Sequence, residues 1–108
     1  MDKYHIPVML KEVISYLDVR PNQWYIDCNL GGGGHTKGIL DKGGKVLGID
    51  LDSDAIREVA QKYQPFVESG KLILVQNNFS HLLHITHMTH ISPVSGILFD
   101  LGVSTHQL

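Results

Sequence analysis

Apolar residues along the chain switch between two periods, and that switching predicts an alternation of helices and strands. Met9, Leu10, Val13, Ile14 and Leu17 recur at helical spacing after Pro7, giving an amphipathic first helix that Pro21-Asn22 punctuates. Trp24-Tyr25-Ile26 reads as a short strand that ends at Asp27-Cys28-Asn29 and runs into four glycines, Gly31 to Gly34. A helix is expected from about His35 through Ile39 and Leu40 to the glycine stop at Gly43-Gly44. Lys45 to Asp50 and Lys71 to Gln76 read as buried strands. Between them lies a helix capped by Asp52 or Ser53, with Ala55, Ile56, Val59, Ala60 and Tyr63 on its apolar face. Pro65 and Gly70 bracket a loop or helix end, the segment from His81 to His90 fits either helix or loop, and Gly96 to Asp100 is a fourth strand.

Strands that are almost wholly apolar and alternate with helices imply parallel pairing with both faces covered. Right-handed crossovers then give half of a doubly wound α/β sheet, whose ligands sit at the carboxyl ends of the strands. Those ends carry Asp27, Asp50, Asn77-Asn78-Phe79 and Asp100. The fourth strand is expected to present an exposed apolar edge. The chain stops at Gly102 to Leu108 directly after that strand pattern, and is expected to be the N-terminal part of something longer.

Composition narrows the classes. With 43% hydrophobic and 19% charged residues over 108 positions, the chain reads as one soluble globular unit. No apolar run approaches the roughly 18 residues of a membrane span and no signal sequence is evident, so a cytoplasmic location is expected. Nine Lys and Arg against 11 Asp and Glu leave a net charge of -2, without the basic excess of a dedicated nucleic-acid binder. The single cysteine, Cys28, can form no internal disulfide. As a nucleophile it lacks a histidine partner fixed by sequence, and the adjacent Asp27 carboxylate disfavours a thiolate.

Three features carry candidate chemistry. The glycine loop between strand and helix lets a ligand approach backbone closely and places it at helix N-terminal amides. Neither the dinucleotide fingerprint nor the phosphate-loop spacing fits: counted from Gly31 or Gly32, the last fingerprint position falls on Thr36 or Lys37. Asp50 follows Gly31 by 19 residues, close to the offset at which a carboxylate accepts from ribose hydroxyls. A helix cap is the alternative role, but Asp52 suits the cap better and leaves Asp50 free. Asp100 closes the fourth strand where the cleft opens, either as a functional acceptor or as a loop organiser. His81, His84, His87 and His90 recur every three residues, yet that spacing drifts about 60° per step on a helix, so the four cannot converge on one ion. No metal site is assigned to them. Trp24 and Tyr25 read as core.

In order along the chain stand His5-Ile6-Pro7-Val8, Asp27 to Thr36 with its Gly33-Gly34-His35, Gly48 to Asp52, Asn78-Phe79-Ser80, and Gly96 to Ser104 with its Asp100-Leu101-Gly102-Val103-Ser104. This set resembles the bacterial MraW family of S-adenosylmethionine-dependent methyltransferases, which modify N4 of a cytidine in 16S ribosomal RNA of the small subunit. The resemblance implies a Rossmann-like class I methyltransferase sheet, of which only the first four parallel strands are present, with the rest of the domain and an inserted helical domain absent. It implies that Gly33, Gly34 and His35 hold the methionine end of S-adenosylmethionine, Asp50 the ribose and Phe79 the adenine. Asp100 and Gln107 would complete the pocket, with Asp100 also the candidate catalytic residue. The implied partner is 16S ribosomal RNA, with no DNA and no membrane, and the isolated chain is expected to be inactive. Asn29, His106 and Asn77-Asn78 depart from the family pattern. Rival readings are another nucleotide-cofactor enzyme, such as a nicotinamide oxidoreductase, or an inactive nucleoside- or metal-binding module.

Overall fold

The computed structural model describes residues 5–99 and 102–104, with side chains described for 10–99. The elements alternate as the apolar periodicity predicts: α1 (His5–Leu17), β1 (Trp24–Asp27), α2 (Gly34–Asp41), β2 (Lys45–Asp50) and α3 (Ser53–Lys62). There follow α4 (Gln64–Glu68), β3 (Leu72–Gln76), a 3₁₀ turn (Phe79–His81), α5 (Leu82–Thr89), β4 (Val94–Phe99) and β5 (Gly102–Ser104). The sheet order is β3-β2-β1-β4-β5. β1 pairs in parallel with both β2 and β4, so the direction of winding reverses between β1 and β4. That reversal opens the ligand crevice of a doubly wound sheet at the carboxyl end of β1.

Residues alternate faces along each strand, and this divides the core in two. Tyr25, Val46 and Leu72 join Ile14, Leu17, Ile39, Leu40 and Val59 on the face covered by α1, α2 and α3. Ile26, Leu47, Ile49, Val94 and Ile97 join Ile85 of α5 and Ile91 on the other. Tyr25 is buried, with its hydroxyl accepting from the Arg20 amide at 2.8 Å, and Trp24 packs partly buried on the α5 side. Both aromatics are core, as the sequence reading has them.

Three segments differ from, or sharpen, the expectation. The stretch after Tyr63 is a short helix, α4, because Pro65 sits in its first turn, where the missing amide costs nothing. The His81–His90 segment resolves into the end of the 3₁₀ turn and α5, which His90 closes in the left-handed conformation at φ 59°. The sheet also gains a fifth strand: β5 runs antiparallel to β4, pairing Ile97 with Ser104, Leu98 with Val103 and Phe99 with Gly102. The expected bare edge of the fourth strand is therefore covered along this stretch, and the sheet is not purely parallel. No helix among the described residues is long and apolar enough to cross a membrane.

Removing the fully buried Ile26 side chain leaves a cavity between the central strand and α5. Ile26→Ala is expected to lower unfolding free energy by about 2–5 kcal/mol in denaturant titration, whereas exposed Met88→Ala stays within about 0.5 kcal/mol.

Candidate functional site at the glycine loop

The glycine run leaves β1 as a tight turn, in which the Gly33 amide donates to the Leu30 carbonyl at 2.8 Å. Its two sides differ. Gly33, at φ 87°, lies against α3: a Cβ there would stand 2.8 Å from Tyr63 Cε2 and 3.1 Å from Val59 Cγ2. At Gly31, Gly32 and Gly34 a Cβ would meet nothing within 4 Å. One side of the loop is thus packed, and the other is open backbone of the kind a ligand can approach. The first helical bond of α2 runs from the Lys37 amide to the Gly33 carbonyl at 2.9 Å, so the amides of Gly34, His35 and Thr36 have no helical partner. No acidic residue lies in that first turn. The positive end of α2 therefore borders the open side.

Two carboxylates shape the loop. Asp27, with no solvent exposure, accepts from Thr36 Oγ1 at 2.8 Å through Oδ2 and from the Asn29 amide at 3.1 Å through Oδ1. Burial pushes its carboxyl up to about 7; the bonds from Thr36 and Asn29 oppose that rise, and the charge of Asp50 adds to it. Asp50, half-buried, accepts from the Asp52 amide at 2.9 Å and from the Gly31 amide at 3.4 Å. The sequence reading leaves Asp50 free by giving the helix cap to Asp52. Asp52 is indeed the cap, accepting from the Asp54 amide at 2.8 Å, but Asp50 is engaged by two backbone amides. An ionised carboxylate has about four acceptor positions, so room remains for a pair of hydroxyls.

Around this centre lie further candidates. Phe79 opens the 3₁₀ turn after β3 and is 55% exposed; Leu51, directly after Asp50, is 68% exposed. The Asn77 amide donates to the Asp50 carbonyl at 3.1 Å, and Asn78 Oδ1 caps the turn by accepting from the Ser80 amide at 3.0 Å. These bonds tie the Phe79 segment to the end of β2. His35 is half-buried, and its Nε2 is shielded with no hydrogen-bond partner among the described residues. Burial lowers the His35 pKa, which favours neutral imidazole.

The structure therefore brings Gly33, Gly34, His35 and Asp50 together at one loop and links Phe79 to it through Asn77. Asp100 and Gln107 lie outside the described residues. Cys28 is half-buried at the strand end. His81, His84, His87 and His90 are all exposed, and His81 Nδ1 lies 2.9 Å from Asn77 Oδ1. Among the described residues no three His, Cys, Asp or Glu side chains are grouped as a metal would need. Asp27 is the residue that sequence reasoning left without a role. Its signal was a strand-end carboxylate directly before the glycines, with a hydroxyl nine residues on at Thr36. The assembly offers amides, a carboxylate and exposed apolar side chains on one rim, which suits a flat heterocycle carrying hydroxyls and a polar tail.

The pH dependence of stability follows from Asp27. The folded chain holds a proton there that the unfolded chain releases at the ordinary carboxyl value of 3.8. The unfolded state thus binds fewer protons, and this contribution is lost as pH rises from about 4 to about 7. Asp27→Asn removes the linkage. In urea titrations at pH 5 and pH 8, wild type is expected to lose stability relative to Asp27→Asn at the higher pH; an unchanged difference would contradict it.

Comparison with known proteins places this geometry. The chain is 47% identical over 107 residues to the ribosomal RNA small subunit methyltransferase H of Dehalococcoides mccartyi, covering 96% of this chain and 30% of that protein. It is 39% identical over 107 residues to the protein of the same name from Symbiobacterium thermophilum, covering 96% and 33%. The chain thus spans about a third of the length of these relatives. Among solved structures it is similar in fold to an rRNA methylase from Streptococcus thermophilus, with TM-score 0.66 and 16% identity over 84% of this chain and 51% of that one. It is also similar to magnesium protoporphyrin IX methyltransferase from Synechocystis with bound S-adenosylmethionine, with TM-score 0.60 and 20% identity over 70% and 38%. The fold is thereby that of the Rossmann-like methyltransferases. The sequence profile described as the MraW methylase family matches residues 2–108, and the chain belongs to that family.

Proposed function

We propose that the chain is the cofactor-binding part of an S-adenosylmethionine-dependent methyltransferase that acts on the N4 amine of a cytidine in 16S ribosomal RNA. The observation that carries the cofactor half is the two-sided glycine loop, open at Gly31, Gly32 and Gly34, with the Asp50 carboxylate bonded to its first amide. The residues fit the cofactor. The open backbone and the unsatisfied start of α2 suit a carboxylate tail, the unpartnered His35 Nε2 lies beside them, and Asp50 and Phe79 suit a ribose and a purine. The absent dinucleotide spacing argues against a nicotinamide ligand. The RNA target is supported by the names of the relatives, and the cytidine N4 specificity by the family resemblance of the sequence.

When bound, S-adenosylmethionine supplies an electrophilic methyl group on a sulfonium. The protein's task in such an in-line displacement is alignment rather than covalent chemistry. In this reading Gly33, Gly34 and His35 fix the methionine end, Asp50 holds the ribose, Phe79 lies against the adenine, and Gln107 closes the pocket. An exocyclic amine is a weak nucleophile because its lone pair is delocalised into the ring. An acceptor at its N–H orients that lone pair and takes up the charge that develops. We assign this role to Asp100, which directly follows β4 in sequence and which can also contact the cofactor. The cytidine must be unpaired or extruded to reach it.

Calorimetric titration tests the cofactor half. The chain is expected to bind S-adenosylmethionine saturably and NAD not at all. Asp50→Ala is expected to weaken binding about 10- to 100-fold, the loss of hydrogen bonds to a charged acceptor. A folded chain that binds NAD, or neither ligand, would contradict the reading. For Asp100, the Asp100→Asn change in a full-length enzyme is expected to keep cofactor affinity and abolish methyl incorporation into 16S ribosomal RNA. Unchanged turnover would remove Asp100 from the chemistry.

A further inference from the structure

The last turn of α3 grips the glycine loop from outside. Val59 and Tyr63 occupy the space that a Gly33 side chain would need. Between them in sequence, Lys62 extends to the loop and donates from Nζ to the Gly32 carbonyl at 3.1 Å, across 30 residues of chain. The Gly33 amide, at the other end of the same peptide unit, is held by the Leu30 carbonyl at 2.8 Å. The orientation of the Gly32–Gly33 peptide is therefore set from both ends, and Lys62 supplies one of them.

The charge of Lys62 is also placed to act. Lys37 of α2 is paired with Asp41 at 2.7 Å, and Arg57 of α3 with Asp54 at 3.0 Å. Among the described residues Lys62 has no carboxylate within ion-pair distance. Its Nζ lies 5.9 Å from the centre of the Tyr63 ring, at the edge of cation–π range, beside the loop. An ammonium has three donors, and the Gly32 carbonyl takes one. The remaining two have no protein partner among the described residues, so the loop carries a full positive charge at Gly32 in addition to the partial positive charge at the start of α2. Asp50 meets the loop one residue earlier, at Gly31. The loop is thus acidic on its Gly31 side and basic on its Gly32 side.

We propose that Lys62 is a specificity-determining residue of this site, orienting the Gly32–Gly33 peptide and favouring ligands whose tail ends in a carboxylate. The proposal rests on the cofactor reading above, because it assigns Lys62 to the amino-acid end of S-adenosylmethionine and not to its nucleoside.

Two ligands separate the contributions: S-adenosylmethionine, and 5′-methylthioadenosine, which keeps the nucleoside and sulfur but lacks the amino-acid tail. Calorimetric titration of Lys62→Met is expected to show about five-fold weaker binding of S-adenosylmethionine, the scale of one part-exposed charge-assisted contact. Binding of 5′-methylthioadenosine is expected to stay within about two-fold of wild type. Lys62→Arg keeps the charge and is expected to restore most of the S-adenosylmethionine affinity. Equal weakening of both ligands would show a general loosening of the loop and overturn the assignment, as would no change for either. A wild-type chain that binds neither ligand would instead overturn the cofactor reading itself.

Discussion

A carboxylate removed from water must find protein donors or hold a proton, because an isolated buried charge is too costly to keep. Asp27 does both: it accepts from Thr36 and Asn29, and its carboxyl is pushed up to about 7. The consequence is mechanical. The end of the central strand, the start of the glycine loop and the first turn of α2 are tied to one side chain, so the path of the loop is set by a group the ligand need not touch.

The packing around this tie explains the glycine run. Leu30, which opens the loop, is buried beside Gly48 of β2, where a Cβ would stand 2.9 Å from Leu30 Cδ1 and 2.9 Å from Leu74 Cδ2. Gly33 must be glycine twice over, for its φ of 87° and for its contact with Tyr63. The other three glycines keep the opposite side of the loop bare. Asp50 and Lys62 then hold the Gly31 amide and the Gly32 carbonyl from β2 and α3. β1, α2, β2 and α3 thus converge on a single turn.

Much of this was legible in the sequence, for identifiable reasons. Strands buried on both faces read as continuous apolar runs, and Asp52 read as a cap because a carboxylate directly precedes a helix with the right apolar stripe. The carboxyl-end placement of Asp50 followed from the parallel topology. Other features depend on contacts between segments far apart. The burial of Asp27 follows from β1 lying between β2 and β4, a property of strand order and not of local pattern. The bond from the Gly31 amide to Asp50 spans 19 residues, so the idea of a free Asp50 could not be corrected locally. The antiparallel β5 was missed because Gly102–Ser104 is too short to show a period. The histidine repeat, conspicuous in sequence, is a surface feature: His81, His84, His87 and His90 are exposed, while Ile85 between them faces the core.

The loop is anchored on a buried, proton-holding Asp27 that, among the described residues, accepts from the Thr36 hydroxyl and the Asn29 amide. The measurement that decides this is the chemical shift of the Asp27 carboxyl carbon, followed by nuclear magnetic resonance as pH is varied, in wild type and in Thr36→Val. A midpoint near 7 is expected in wild type, moved higher when the Thr36 hydroxyl is removed. A midpoint near the ordinary 3.8, or one indifferent to Thr36, would contradict it.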